Sequence, residues 1–294
     1  MIKRIFVFAA VLFIVYSLFV IAVAPKWWTA SQHQWQANVI NAQKFIYDDS
    51  DSLNHVLIGS SLTTRLVMDS LPKTYNLSFS GQGIYDGLNI LAHKAKIPEN
   101  IFIEMNLALR EESKDFTSGL HTPILYYPKK MLVSLREDKQ PIGVAGAQIS
   151  NKITDPAILN VKTFFHLAAP NTVPEKEHKN ELFNTMLQDQ VKNYSELPEQ
   201  ELITQSFTTL KNYITELENK GGKIIFFEMP VNYQLNQLPK AKLIRATFYK
   251  YFPTPKYTYI PIPDGVKYQT TDGVHLGRAE ALEYTSYLKS KLPY

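Results

Sequence analysis

Two short segments hold the residue types that can do chemistry: Ile58-Gly59-Ser60-Ser61 in the first part of the chain and Thr271-Asp272-Gly273-Val274-His275-Leu276 toward its end. Between them they supply hydroxyls, an imidazole and a carboxylate. A serine hydroxyl is a poor nucleophile until an imidazole takes its proton, and the imidazole needs a carboxylate to hold it in one tautomer, so this set points to acyl transfer through serine. Asp272 and His275 stand three apart in what reads as the entry turn of a C-terminal helix over Leu276–Leu288. That spacing lets the carboxylate reach Nδ1 while Nε2 faces a serine. A helix cap alone would also supply the Asp, and a Gly-Ser-Ser turn alone the serines, so each segment gains meaning from the other.

The elements that must position these segments alternate in kind. His55-Val56-Leu57-Ile58 is a short apolar strand ended by Gly59, and Leu62–Leu66 has helical spacing. Ser61 therefore falls at a strand-to-helix junction, where helix N-terminal N–H groups are also on offer. Tyr75–Phe79 alternates like a second strand and is broken by Ser80-Gly81-Gln82-Gly83 before a helix over Ile84–Lys94. Asn100–Asn106 is a buried-type strand, and Phe207–Lys220 is an amphipathic helix closed by Gly221-Gly222 ahead of a strand over Lys223–Pro230. Such alternation predicts a parallel sheet covered on both faces, an α/β fold. From residue 111 to about 200 the alternation fails: the prolines, the Tyr126-Tyr127-Pro128 patch and the turn Lys139-Gln140-Pro141-Ile142-Gly143 read as an insertion or lid on the core.

Composition narrows the function classes. The 294 residues, 45% hydrophobic, 12% aromatic and 20% charged, suit one large folded α/β domain rather than a disordered chain. The net charge of +4 is small, and basic residues are mixed with acids, as in Pro174–Glu181, which reads as a solvated surface segment. Without a basic face or aromatic platforms, nucleic acid is not an expected partner. Cysteine is absent, which excludes disulfides and thiolate sites, and the seven histidines include no pair at a metal-ligand spacing. Neither a metal nor a cofactor is expected.

Met1-Ile2-Lys3-Arg4 precedes the apolar run Ile5–Ala24, twenty residues without a charge, and then Pro25-Lys26-Trp27-Trp28. Such a run just spans a bilayer core, with Lys3 and Arg4 on the cytoplasmic side and the Trp pair at the far interface. The expected organisation is a transmembrane anchor over 1–25, a juxtamembrane helix over 26–50, and an α/β domain over 51–294 on the periplasmic or extracellular side of the inner membrane. Ala22-Val23-Ala24 has the form of a signal cleavage site, but the length of the run and Pro25 directly after it favour an uncleaved anchor.

Four blocks, in this order, resemble the SGNH (GDSL) hydrolase superfamily: Gly59-Ser60-Ser61, Asn76-Leu77-Ser78-Phe79-Ser80-Gly81, Glu104-Met105-Asn106 and Asp272-Gly273-Val274-His275. The resemblance covers most of the chain past the anchor apart from the middle insertion. It looks most like the membrane-anchored, envelope-facing branch that includes alginate O-acetyltransferases and the D-alanyl transfer protein of teichoic acids. It implies a flavodoxin-like three-layer α/β/α sandwich. It also implies Ser61 as nucleophile, with Ser60 in place of the family's Asp, His275 as base and Asp272 as its orienter. The oxyanion donors it implies are the backbone N–H of Ser61, the N–H of Gly81, with Gly83 as rival, and the Asn106 side chain. The third block departs from the pattern, since Glu104 and Leu107 stand where the family has glycine and aspartate. Glu104, on the same strand face as Asn106, and Arg65, four residues after Ser61, are candidates for substrate contact, with ion pairing the ordinary alternative for each. Tyr126 and Tyr127, like Trp27 and Trp28, could stack on sugars or meet lipid.

The activity so implied is extracytoplasmic, serine-dependent acyl transfer, by an O-acyltransferase or esterase acting on an envelope polysaccharide or glycoconjugate through an acyl-enzyme on Ser61. The partners implied are the glycan, an acyl donor, the membrane through the N-terminal helix, and a membrane-bound O-acyltransferase. The alternative is a catalytically inactive chain of the same fold that binds glycan or scaffolds such an acyltransferase.

Overall fold

The computed structural model describes residues 2–23, 33–47, 52–141 and 179–293. The chain divides into two compact units, one of Met1–Asp48 with Ser118–Val173 and a larger one of Asp49–Thr117 with Pro174–Tyr294. Among the described residues the helices longer than one turn are α1 (Ile2–Val23), α2 (Gln34–Tyr47), α3 (Ile84–Ala92), α4 (Lys114–His121), α5 (Pro123–Met131), α6 (Lys179–Ser195), α7 (Gln200–Asn219), α8 (Pro239–Tyr251) and α9 (Arg278–Lys291).

The larger unit is built on five parallel strands, β1 (His55–Gly59), β2 (Thr74–Ser78), β3 (Asn100–Glu104), β4 (Lys223–Phe227) and β5 (Thr258–Ile260). Their order is β2-β1-β3-β4-β5, the flavodoxin-like one. His55 lies opposite Thr74 on one side and Asn100 on the other, and Asn100 lies opposite Lys223. This register brings the C-terminal ends of β1, β2 and β3 to one edge, where the candidate residues follow. Both β1 and β3 are buried at every position, because helices cover both faces of the sheet. Leu57, Phe102, Ile225 and Phe227 pack on one face with Tyr194 of α6 and Ala281, Tyr284 and Leu288 of α9. The alternate strand residues point to the other face. There Phe226 stacks edge-on against Phe248 of α8 at 5.1 Å, and Phe248 meets Phe207 of α7 at 4.9 Å. On α3, Gly87 approaches the sheet so closely that a Cβ would stand 3.0 Å from Ile58 Cγ2. The result is the three-layer α/β/α arrangement.

The end of α7 follows from its two glycines. Gly221 takes φ +87°, its N–H donates to the Glu218 carbonyl, and the Gly222 N–H donates to the Leu217 carbonyl. That is the Schellman pattern, and it turns the chain into β4.

Three expectations change. The helix expected over Leu62–Leu66 is a single 3₁₀ turn, Thr63–Arg65, so no helix N-terminus stands behind Ser61. The C-terminal helix starts at Arg278 rather than Leu276, because Thr270 and Leu276 are bridged and close the preceding loop on itself. Of the stretch from 111 to 200, α6 belongs to the larger unit and gives Tyr194 to its core, while Ser118–Val173 belongs to the smaller one. Residues 142–178, with the end of the Lys139–Gly143 turn and most of the Pro174–Glu181 run, lie outside the described residues, as do Ala24, Pro25, Trp27 and Trp28.

In the smaller unit α1 is long and apolar enough to cross a membrane, a property a signal sequence shares. The Glu137 N–H donates to Gln43 Oε1 of α2 at 2.8 Å, and Tyr47 of α2 meets Tyr126 of α5 at 5.7 Å.

Candidate active site

β1 delivers the chain to Gly59, and the residues after it are wound around a carboxylate. Glu104, at the end of neighbouring β3, is 0% exposed. It accepts the Ser60 N–H at 2.8 Å, the Ser60 hydroxyl at 2.8 and 2.9 Å, and the Thr63 hydroxyl at 2.6 Å. The Ser60 oxygen accepts the Leu62 N–H at 3.2 Å. Burial pushes the Glu104 carboxyl above its ordinary pKa, against the pull of the hydrogen bonds from Ser60 and Thr63. Ser60 is thus held inward, and the half-buried Ser61 is presented outward.

Ser61 meets the loop between Thr270 and Leu276. The Thr271 N–H donates to the His275 carbonyl at 2.8 Å, and the Gly273 carbonyl accepts the Asn232 N–H at 2.8 Å, tying the loop to the segment after β4. Gly273 has φ +96°, a left-handed conformation that costs glycine nothing. Inside the loop, Asp272 Oδ1 accepts the N–H groups of Val274 at 3.1 Å and His275 at 2.8 Å. Its Oδ2 lies 2.6 Å from His275 Nδ1, and His275 Nε2 lies 2.9 Å from Ser61 Oγ. The carboxylate selects the tautomer protonated at Nδ1, which leaves Nε2 to accept from the serine hydroxyl. Burial by itself would raise the Asp272 carboxyl. The hydrogen bonds from the His275 ring and backbone, the charge of the imidazole and the Val274 N–H outweigh it and bring the carboxyl down to about 2.

The donors expected for an oxyanion differ in availability. Gly81 occupies a turn with φ +76°. Neither its N–H nor that of Ser61 donates a hydrogen bond among the described residues. The Gly83 N–H is committed to Asp86 Oδ2 at 3.1 Å. Asp86 also accepts the Ser113 N–H at 2.9 Å, and burial raises its carboxyl to about 6 in spite of both bonds. Asn106 clamps the ends of β3 and β4: its Nδ2 donates to the Met229 carbonyl at 2.9 Å and its Oδ1 accepts the Met229 N–H at 2.7 Å. One Nδ2 hydrogen is left over.

Of the two residues considered for substrate contact, Arg65 is exposed in the turn after Ser61, whereas Glu104 is enclosed and cannot touch a ligand. Its side chain ties down the turn instead, a role that the missing Asp at position 60 could have signalled. A second support without a sequence signal is Arg245, which grips Glu228 at 2.8 and 3.0 Å through Nε and the Asn236 carbonyl at 2.7 Å through Nη1. It braces the segment that carries Met229 and Asn232.

No protein-family model matches the chain, and no curated protein matches it. Among solved structures it is similar to a protein from Streptococcus pneumonia provisionally described as a platelet activating factor, with 13% identity and a TM-score of 0.42 over 87% of this chain and 92% of that one.

Proposed function

We propose that the chain is an extracytoplasmic serine-dependent acyl-transfer enzyme, an O-acyltransferase or esterase acting on an envelope polysaccharide or glycoconjugate. The observation that supports it is the unbroken run from Ser61 Oγ through His275 to Asp272, at 2.9 and 2.6 Å. Ser61 Oγ attacks the carbonyl carbon of an ester or thioester while its proton passes to His275 Nε2, and the ionised Asp272 stabilises the imidazolium. The carbonyl electron pair moves to oxygen, which the Ser61 and Gly81 N–H groups and the spare Asn106 Nδ2 hydrogen can receive. Loss of one such donor costs on the order of a hundredfold in rate. Collapse expels the alkoxide or thiolate, which takes the proton from Nε2 and leaves the acyl group on Ser61. A glycan hydroxyl or water then gives its proton to Nε2 and attacks the acyl carbon, and Ser61 leaves with that proton. The envelope setting is supported by the apolar helix α1 and by the sequence blocks.

A catalytically inactive binding or scaffold protein is the second reading, favoured by the double pairing of Asn106 with Met229. Labelling of the detergent-solubilised full chain with a fluorophosphonate probe, followed by peptide mass analysis, separates the two. The expected adduct is on Ser61 and disappears in Ser61→Ala and His275→Ala at unchanged melting temperature. A folded wild-type chain that takes no label, or takes it on Ser60, would sink the catalytic reading.

A further inference from the structure

Within the smaller unit, the segment from Thr122 to Lys139 is bound to α1. Tyr16 and Ser17 are the only hydroxyl-bearing residues in the run Ile5–Ala24. The Tyr16 hydroxyl donates to the Lys139 carbonyl, and Ser17 Oγ pairs with Ser134 Oγ at 2.8 Å. A hydroxyl inside hydrocarbon needs a protein partner, and both have one. Tyr16 precedes the end of α1 at Val23 by seven residues, so the attached segment runs alongside the helix to roughly 10 Å below that end.

The surface this segment turns outward is apolar. On α5, Ile124, Tyr127 and Met131 recur at helical spacing and are 79%, 61% and 81% exposed, and the exposed Leu132 and Leu135 continue the stripe. The charges behind it are held inside the unit. Lys139 pairs with Asp138 at 2.7 Å, Glu137 lies 4.0 Å from Lys129, and the Arg136 guanidinium lies 4.9 Å from the Tyr47 ring centroid. Paired charges behind an unpaired apolar face are the arrangement that a low-dielectric surrounding tolerates. Lys130 stands exposed beside the stripe, where an anionic headgroup can meet it.

We infer that the α5 stripe is a second membrane-contacting element, seated in the lipid leaflet at the C-terminal end of α1. The inference rests on α1 being inserted in the bilayer: the bonds to Tyr16 and Ser17 carry the stripe to the depth of α1's own exposed side chains. In an enzyme with a membrane-held or lipid-linked acyl donor, such an element would keep the smaller unit at the lipid surface.

The chain has no cysteine, so single reporters can be placed at will. Full-length Ile124→Cys, Met131→Cys, Leu12→Cys and Thr208→Cys, each carrying an environment-sensitive fluorophore, would be reconstituted in vesicles of phosphatidylethanolamine and phosphatidylglycerol with or without bromine on the acyl chains. Positions 124 and 131 should be quenched by the brominated lipid several-fold more than position 208, a solvent-facing position on α7. Quenching at 12 with none at 124 and 131 overturns the inference while leaving the α1 anchor intact. No quenching at 12, 124 or 131 overturns both. A blue-shifted emission at 124 and 131 without bromine quenching means protein cover, and also overturns the assignment to lipid.

Discussion

Asp272 uses its two oxygens for different tasks. Oδ1 closes the backbone turn by accepting two N–H groups, and Oδ2 fixes the imidazole that faces Ser61. Asp272→Asn keeps an acceptor for the turn but sets an amide donor against Nδ1–H, which favours the opposite tautomer and turns a protonated Nε2 toward the serine. Turnover, or the rate of Ser61 labelling, should fall on the order of 10⁴-fold, far more than the accompanying fall in melting temperature at neutral pH accounts for. The pH dependence separates this from a packing effect. The folded Asp272 carboxyl lies at about 2 against an ordinary 3.8. A depressed acid contributes stability that is present above the ordinary value and lost as pH falls through the folded one, so the wild type should lose its advantage in melting temperature over Asp272→Asn between those two values. Parallel melting curves down to acid would show that the carboxylate is not held by the imidazole. At this scale the Asp-x-x-His spacing was legible because both partners lie within one short loop. The Ser60–Glu104 pair was not, since it joins residues from different strands. Ser60 and Glu104 stand where the resemblance has Asp and Gly, and the carboxylate that holds the turn comes from β3.

A strand, a turn and a neighbouring strand together hold Ser61, and Gly59 is the place where they leave no space. A Cβ there would lie 2.7 Å from Glu104 Oε2 and 2.5 Å from Thr63 Cβ, so Gly59→Ala must push the turn away from the carboxylate that organises it. Overpacking of this kind costs about 1–3 kcal/mol, and it acts on the atoms that orient Ser61. The expected result is a lowered melting temperature together with a loss of Ser61 labelling larger than the stability loss explains. Gly221→Ala, at a left-handed position with open space around it, should lower stability without changing the labelling rate of the folded fraction. Equal labelling losses in both would mean that Ser61 responds only to global stability. β1, β2, β3 and β4 were readable because their apolar runs are bounded by glycines or polar turns. β5 was not, since three residues between proline-rich segments carry no period, and α8 hid its apolar face among lysines and tyrosines. The Thr63–Arg65 turn imitated a helix because one 3₁₀ turn places apolar residues at nearly the same spacing.

The candidate site and the apolar helix α1 belong to different units. Ser61, Gly81, Glu104, Asn106, Asp272 and His275 all lie in the unit Asp49–Thr117 with Pro174–Tyr294, while α1 lies with Ser118–Val173 in the other. The apolar run at the start of the chain announced α1 directly. That it shares a unit with a stretch more than a hundred residues away rests on Tyr16 and Ser17, two hydroxyls whose partners no local pattern could name. Removing residues 2–23 takes away the partners of Lys139 and Ser134 but no group of the candidate site. The shortened chain should therefore still be labelled at Ser61, while limited proteolysis cuts between Ser118 and Gln140, where the full chain resists. Tyr16→Phe with Ser17→Ala in the full chain should give the same new cleavage in weaker form, because it deletes the two hydrogen bonds and keeps the apolar helix. Loss of Ser61 labelling in the shortened chain, with its secondary structure retained, would show instead that the site depends on the smaller unit. In that case α1, beyond any part in localisation, would be needed for Ser61 to react.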